Sequence, residues 1–214
     1  MYLARTPRLA RLLFGSRLWR MPAEEKALYL TFDDGPVPEA TPWVLDQLKA
    51  HNAKATFFCI GKNIEANPEL FRRVKAEGHA IGNHTWDHCN GRDTATPTYL
   101  ASVERCQKLT GTELFRPPYG RLMPAQARAL RDHYTVVMWS VLSGDFDTRI
   151  DGARATRNVL KHAGPGGIVV FHDSVKAWPR LQVALPAVLE HFGREGYGFR
   201  ALFDRPGPYD TGIE

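Results

Sequence analysis

The sequence predicts a single-domain α/β protein in which about seven parallel strands and their covering helices curl into a distorted (β/α) barrel. Three observations lead there. A chain of 214 residues is the size of one ordinary α/β domain, whereas two independent halves would each be small for a stable core. Strand-like and amphipathic helix-like runs alternate through most of it, the signature of βα units around a parallel sheet. The reactive side chains collect just after the strand-like runs, where such folds carry their chemistry.

The strand-like runs are 27–32, 55–60, 80–83, 114–116, 135–141, 168–172 and 198–203. Helix-like runs fall between them at 42–51, 68–77, 97–110, 124–132, 153–162 and 179–195, and several open with a proline, which the first helical turn tolerates. Seven strands are too many for a small sandwich and one short of an eight-stranded barrel. Gly164-Pro165-Gly166-Gly167 reads as a helix-to-strand turn, and no repeat, low-complexity tract or linker divides residues 25–214.

Residues 1–24 form a separate leader. Arg5, Arg8, Arg11, Arg17 and Arg20 all precede the first acid, Glu24, so the net charge of +5 belongs to this segment and the remainder is neutral. A neutral body excludes a nucleic-acid-binding surface. Leu9, Leu12, Leu13, Leu18 and Trp19 interleave with the arginines, a pattern suited to a short basic amphipathic helix that either touches an anionic membrane or caps the open end of the barrel. The longest apolar run in the leader, Leu12-Leu13-Phe14, is too short for the core of a secretory signal. Cys59, Cys89 and Cys106 are odd in number and lack paired spacing, which argues against a disulfide framework. The expected location is therefore cytoplasmic, with an envelope-associated protein as the alternative, and the expected state is a monomer.

The strand ends carry the functional reading. Asp33 and Asp34 leave the first strand into Gly35-Pro36; such a sequence is also an ordinary turn, yet adjacent side chains leaving a strand point apart, so one acid can bind a metal while the other moves a proton. His84 and His88 place two imidazoles on one side of a helical turn or tight loop, and Asp34 would complete a two-histidine, one-carboxylate site open to water. Zinc is the first choice, and cobalt, nickel or iron would accept the same donors. Thr85 stands where a zincin motif needs glutamate, so the base comes from elsewhere, with Asp33 the adjacent candidate. Cys89 reads as an inert thiol. Arg116-Pro117-Pro118-Tyr119-Gly120 is a rigid turn offering an orienting arginine and a backbone N–H. His172 ends the apolar run 168–171, and Asp145 is a carboxylate that would keep it cationic and able to donate a proton.

Thr31-Phe32-Asp33-Asp34-Gly35-Pro36, His84-Thr85-x-x-His88, Arg116-Pro117-Pro118-Tyr119-Gly120, Trp139-Ser140-Val141 with Asp145, and Ile168-Val169-Val170-Phe171-His172-Asp173 resemble the five ordered motifs of the polysaccharide deacetylases, the NodB-homology carbohydrate esterases. The resemblance covers roughly residues 25–203. It implies a NodB-like barrel with fewer than eight strands, one divalent metal held by Asp34, His84 and His88, Asp33 as general base held by Arg116, the Tyr119 N–H as oxyanion donor, and His172 as general acid tuned by Asp145. The fourth motif departs: Leu142 stands where the family usually has aspartate, and Phe146 where it has tryptophan. The implied reaction is metal-dependent removal of acetyl groups from N-acetylated amino sugars, with peptidoglycan, chitooligosaccharide or a related glycan as substrate. A different amide or imide hydrolase and a carbohydrate-binding pseudoenzyme are the alternatives.

Overall fold

The computed structural model describes residues 2–202. Strand β1 (Ala27–Asp33) is buried along its whole length and forms the spine of a parallel sheet. On one side it pairs with β7 (Gly167–His172), Leu28 opposite Gly167 through to Asp33 opposite His172. On the other it pairs with β2 (Thr56–Cys59), followed outward by β3 (Ala80–Asn83), β4 (Leu114–Phe115) and β5 (Thr135–Val136). β6 (Val141–Leu142) lies outside β7. β8 (Gly198–Phe199) pairs with Ala27 and Leu28, while the Lys54 N–H donates to the Phe199 carbonyl, so β8 fills the gap where β1 and β2 splay at their amino ends. The predicted strand 198–203 is thus cut to two residues, and Phe203 lies outside the described ones.

The predicted strand 135–141 is split, which makes eight strands where seven were expected. Its first part pairs with β4 and its last with β7, at opposite ends of the sheet order. A flat sheet would put those positions about 29 Å apart, whereas the five residue steps from Val136 to Val141 reach about 18 Å at most. The sheet must therefore curl until one extended run serves both edges. The changeover is visible in the backbone: the Val137 N–H donates to Phe115 at 2.8 Å, but the Ser140 N–H donates to Ile168 at 3.1 Å.

This split opens a seam of backbone groups that need partners, and the leader supplies them. The Thr6 N–H donates to Ser140, Leu142 to Ala4, Leu18 to Val136 and Met138 to Leu18, all within 2.7–3.0 Å. Between these clamps stands α1 (Arg8–Leu13), which buries none of its residues. Leu18 and Met21 turn inward and join Ala27, Tyr29, Phe58, Leu114, Val137 and Ile168 in the barrel interior.

Alternation along β1 sends Leu28, Leu30 and Phe32 outward into the main core beneath α2 (Thr41–Ala50), α7 (Gly152–His162) and α8 (Trp178–Arg194). The same alternation points Thr31 and Asp33 inward at the carboxyl end. The six expected helices, which include α4 (Pro68–Ala76), α5 (Thr96–Thr110) and α6 (Pro124–Leu130), all form within two residues of their predicted limits. One further helix, α3 (Gly61–Ala66), was not anticipated.

Candidate active site

Asp33 and Asp34 diverge as the turn requires. Asp33 keeps extended geometry and its Oδ1 accepts from Arg116 Nη1 at 2.7 Å, with both side chains almost wholly buried. Asp34 adopts φ 83°, a left-handed conformation uncommon for a residue with a Cβ, and this swings its carboxylate to the other side. The following Gly35 N–H donates to Asp173 Oδ1 at 3.1 Å, and a Cβ at position 35 would lie 1.9 Å from Asp173 Oδ2. Only glycine fits. Burial pushes the Asp173 carboxyl up to about 8, against its 2.6 Å hydrogen bond from Thr41.

The two histidines sit on a loop after β3, not on a helix. Thr85 and His88 have φ of 65° and 58°, strained values for such residues that persist only when surrounding bonds enforce them. Asn83 Oδ1 accepts from the Thr85 N–H at 2.9 Å. The first two N–H groups of α3, on Gly61 and Lys62, donate to the carbonyls of Thr85 and Trp86 at 3.0 and 2.9 Å. From the same helix Asn63 Nδ2 donates to the Asp34 carbonyl at 2.6 Å, and from its C-cap Asn67 Nδ2 donates to the Pro36 carbonyl at 3.2 Å. The unanticipated helix is therefore the clamp between the aspartate turn and the histidine loop. The usable signal was Gly61-Lys62-Asn63 directly after a strand: a Cβ at Gly61 would lie 2.5 Å from the Trp86 ring.

His84 Nδ1 lies 2.7 Å from the Arg116 carbonyl oxygen. A carbonyl can only accept, so Nδ1 carries the hydrogen and Nε2 presents a lone pair. Burial lowers the pKa of His84 to about 4, which keeps it neutral near pH 7. Its Nε2 faces Asp34 Oδ1 at 3.8 Å, and His88 Nε2 faces the same oxygen at 3.3 Å. Ligand atoms of all three residues lie within 4.8 Å of one another, and Asp34 Oδ1 is buried without a hydrogen-bond partner. Lone pairs turned on one another around an orphaned carboxylate oxygen suit a cation, and two imidazoles with one carboxylate suit a divalent transition metal. Cys89 stands outside this cluster, a free half-buried thiol whose pKa burial raises.

Arg116 is fully enclosed. Besides Asp33 it donates to Thr31 Oγ1 at 2.7 Å, to the Met138 carbonyl at 3.0 Å and to the Val137 carbonyl at 3.3 Å, and its guanidinium lies 4.1 Å above the Phe58 ring. Burial would raise the Asp33 pKa, but Arg116, together with His84 and His172, outweighs it and holds the carboxyl below its ordinary 3.8. Asp33 is an ionised carboxylate with one oxygen engaged by Arg116. Thr31, whose hydroxyl donates onward to the Val169 carbonyl at 2.9 Å, was read from the sequence as part of a motif without a role.

Asp145 clamps His172 with both oxygens: Oδ2 accepts from the His172 backbone N–H at 2.8 Å and Oδ1 from Nδ1 at 2.7 Å. Burial works against the charged ring, yet Asp145 prevails and raises the His172 pKa to about 9. Arg180 Nε holds the Asp145 carbonyl at 2.5 Å. Because Asp33 and His172 are register partners on β1 and β7, they stand side by side. Tyr119, at φ 59°, sets its exposed ring edge-on to His88 at 4.6 Å; the bonds of its turn run from the Gly120 and Arg121 N–H groups, so they do not use the Tyr119 N–H. At the divergent fourth motif, Leu142 is buried in β6, and Phe146 packs edge-on against His172 at 5.2 Å and at a tilt against Tyr2 at 5.0 Å.

The sequence model of the polysaccharide deacetylases matches residues 20–137. A peptidoglycan-N-acetylglucosamine deacetylase of Bacillus cereus is 38% identical over 201 residues, covering 90% of this chain and 72% of that one. A chitooligosaccharide deacetylase of Azorhizobium caulinodans is 36% identical over 167 residues, covering 72% and 77% respectively. The crystal structure of the Bc1960 peptidoglycan N-acetylglucosamine deacetylase superimposes with a TM-score of 0.81 at 30% identity, over 92% of this chain and 95% of that one. With the matched region running from the leader through the histidine loop and the Arg116 turn, the chain belongs to the polysaccharide deacetylase family.

Proposed function

We propose that the protein is a metal-dependent hydrolase that removes acetyl groups from N-acetylated amino sugars in a peptidoglycan, chitooligosaccharide or related glycan. The observation that carries this reading is the placement of an ionised Asp33 and a cationic His172 side by side, next to the Asp34, His84 and His88 cluster. Hydrolysis of an amide needs a proton taken from water and another given to the amine, because an amide is a poor electrophile and an amine a poor leaving group.

Asp34, His84 and His88 would hold one divalent cation, zinc by its donor set, which when bound supplies Lewis-acid polarisation of the acetyl carbonyl and of the attacking water. Asp33 takes the proton as the water oxygen bonds to the acetyl carbon. Arg116 prevents Asp33 from joining the metal cluster and keeps it ionised. The Tyr119 N–H donates to the carbonyl oxygen as that oxygen gains charge. His172, its Nδ1 engaged by Asp145, gives the Nε2 proton to the nitrogen as the carbon–nitrogen bond breaks, releasing acetate and a free amino sugar. The names of the B. cereus and A. caulinodans relatives support the substrate class.

Acetate release from peptidoglycan fragments, chitooligosaccharides and small acetamides, each with and without chelator, tests the proposal. Release from the glycans that stops with chelator and returns with zinc is expected. Release from small acetamides alone would point to a different amidase, and no release from any of them to a pseudoenzyme.

A further inference from the structure

The opposite pole of the barrel carries a second charged site that deacetylation does not use. Arg5, Arg11 and Arg20 of the leader, with His162 at the end of α7, line a cavity of about 190 Å³ beside Gly164 and Gly167, at the amino end of β7. Among the described residues no carboxylate lines it. Among the described residues, the ion pairs engage none of the five leader arginines. Arg20 donates from Nη2 to the Pro165 carbonyl, but its Nε is buried with no partner. Burial, reinforced by the neighbouring Arg20, Arg5 and Arg8, holds the Arg11 pKa below its ordinary value. Three guanidiniums converging without a counter-charge make a site that an anion would relieve.

The segment that supplies these arginines also exposes apolar side chains. Leu9, Leu12 and Leu13 are 64%, 62% and 66% exposed, and Phe14 is 47% exposed. A six-residue helix has little stability of its own in water; α1 is held by the backbone bonds at either side of it and by Trp19 Nε1, which donates to the Phe14 carbonyl at 3.1 Å, with its leucines turned away from the barrel. Unpaired arginines beside solvent-facing leucines are complementary to a surface that is anionic outside and apolar within.

We propose that residues 3–20 form a docking surface for an anionic phospholipid bilayer, in which a lipid phosphate occupies the cavity between Arg5, Arg11 and Arg20 while Leu9, Leu12, Leu13 and Phe14 enter the acyl boundary. The cavity adjoins Gly167 and the acid–base pair ends β7 at His172, so the length of the strand, about 17 Å, separates lipid from catalytic mouth. Docking in this way leaves the mouth facing away from the membrane.

The full chain is sedimented with phosphatidylcholine vesicles that contain or lack phosphatidylglycerol, across a salt series, and its unfolding temperature is measured with and without inorganic phosphate. Binding to the anionic vesicles alone, weakened by salt, is expected. Arg11→Gln should lower the partition about fivefold, the worth of one basic residue at such a surface. The double variant Leu12→Asp/Leu13→Asp, whose positions are solvent-exposed and whose folding is checked by circular dichroism, should lower it more than about tenfold. Equal binding to neutral vesicles, or none to either kind, overturns the proposal. Stabilisation by phosphate without sedimentation assigns the cavity to a free anion and also overturns it. So does concentration-dependent self-association that the double variant abolishes, which assigns the leucines to a second copy of the chain.

Discussion

Asp33 and Asp34 leave the same strand end one residue apart, and their surroundings are opposites. Asp33 is satisfied by Arg116, which also grips Thr31 and two backbone carbonyls. Asp34 Oδ1 has no hydrogen-bond partner and faces two imidazole nitrogens. The acid–base half of the site, Asp33–Arg116 with His172–Asp145, is complete within the protein. On the proposed reading, the half made by Asp34, His84 and His88 is incomplete without its cation. In the proposed reaction the difference divides ligation from proton transfer between adjacent carboxylates: each is prevented by its neighbours from doing the other's work.

Substitutions at the two halves should separate metal content from turnover. His84→Ala opens the incomplete half, and both bound metal, measured by elemental analysis, and acetate release should be lost. Asp33→Asn strikes the complete half: turnover should fall by about 10³-fold while metal content stays at the wild-type value. Substantial activity in this variant, or loss of its metal, would erase the division. His172→Ala should behave like Asp33→Asn, and a fall in metal occupancy would place His172 among the ligands.

Asp145→Asn should act through pH. In the proposed reaction His172 gives its proton while cationic, so activity should persist up to its pKa of about 9 and fall above it. Asp145 is the main group that raises this pKa, and without it burial is less opposed, so the alkaline limb of kcat should move toward neutral pH. The same sign governs stability. A histidine whose pKa rises from 6.5 to about 9 on folding contributes about 3 kcal/mol that is fully present below pH 6.5 and lost as pH rises through about 9. Wild type should therefore lose more unfolding free energy than Asp145→Asn across that window. An unmoved limb would show that His172 is not the acid being titrated.

The parts of this site that were legible in the sequence are those whose residue types carry chemistry. Aspartates, histidines and an arginine at successive strand ends were enough to pick out residues that the fold brings together in the candidate site, and the βα order. What stayed hidden depends on neighbours in space. The run 135–141 reads as one strand because its pattern is continuous, and nothing in it reveals that it changes partner between Val137 and Ser140. Leu18 and Met21 look like surface residues of a basic segment until the split strand gives them a seam to fill. α3 is too short to show helical periodicity, and its work is done by backbone N–H groups and two asparagines. Thr31 reads as an ordinary strand former.

Thr31 also supplies the finest test of the comparison. Its hydroxyl accepts from Arg116 Nη1 and donates to the Val169 carbonyl, so it helps to aim the guanidinium at Asp33 without touching the metal cluster. Valine has nearly the same shape but lacks the hydroxyl. Thr31→Val should cost about 1 kcal/mol of stability for a buried hydrogen bond, a fall in Tm of about 2–4 °C for a chain of this size. Arg116 would still reach Asp33 and two carbonyls, so kcat should drop less than about tenfold, metal content should not change, and Thr31→Ser should restore both Tm and kcat. A loss of turnover as deep as that of Asp33→Asn would mean that the guanidinium is placed by the threonine and not by its other partners. A loss of metal would mean that the two halves are coupled through Arg116, whose carbonyl oxygen also fixes the His84 tautomer.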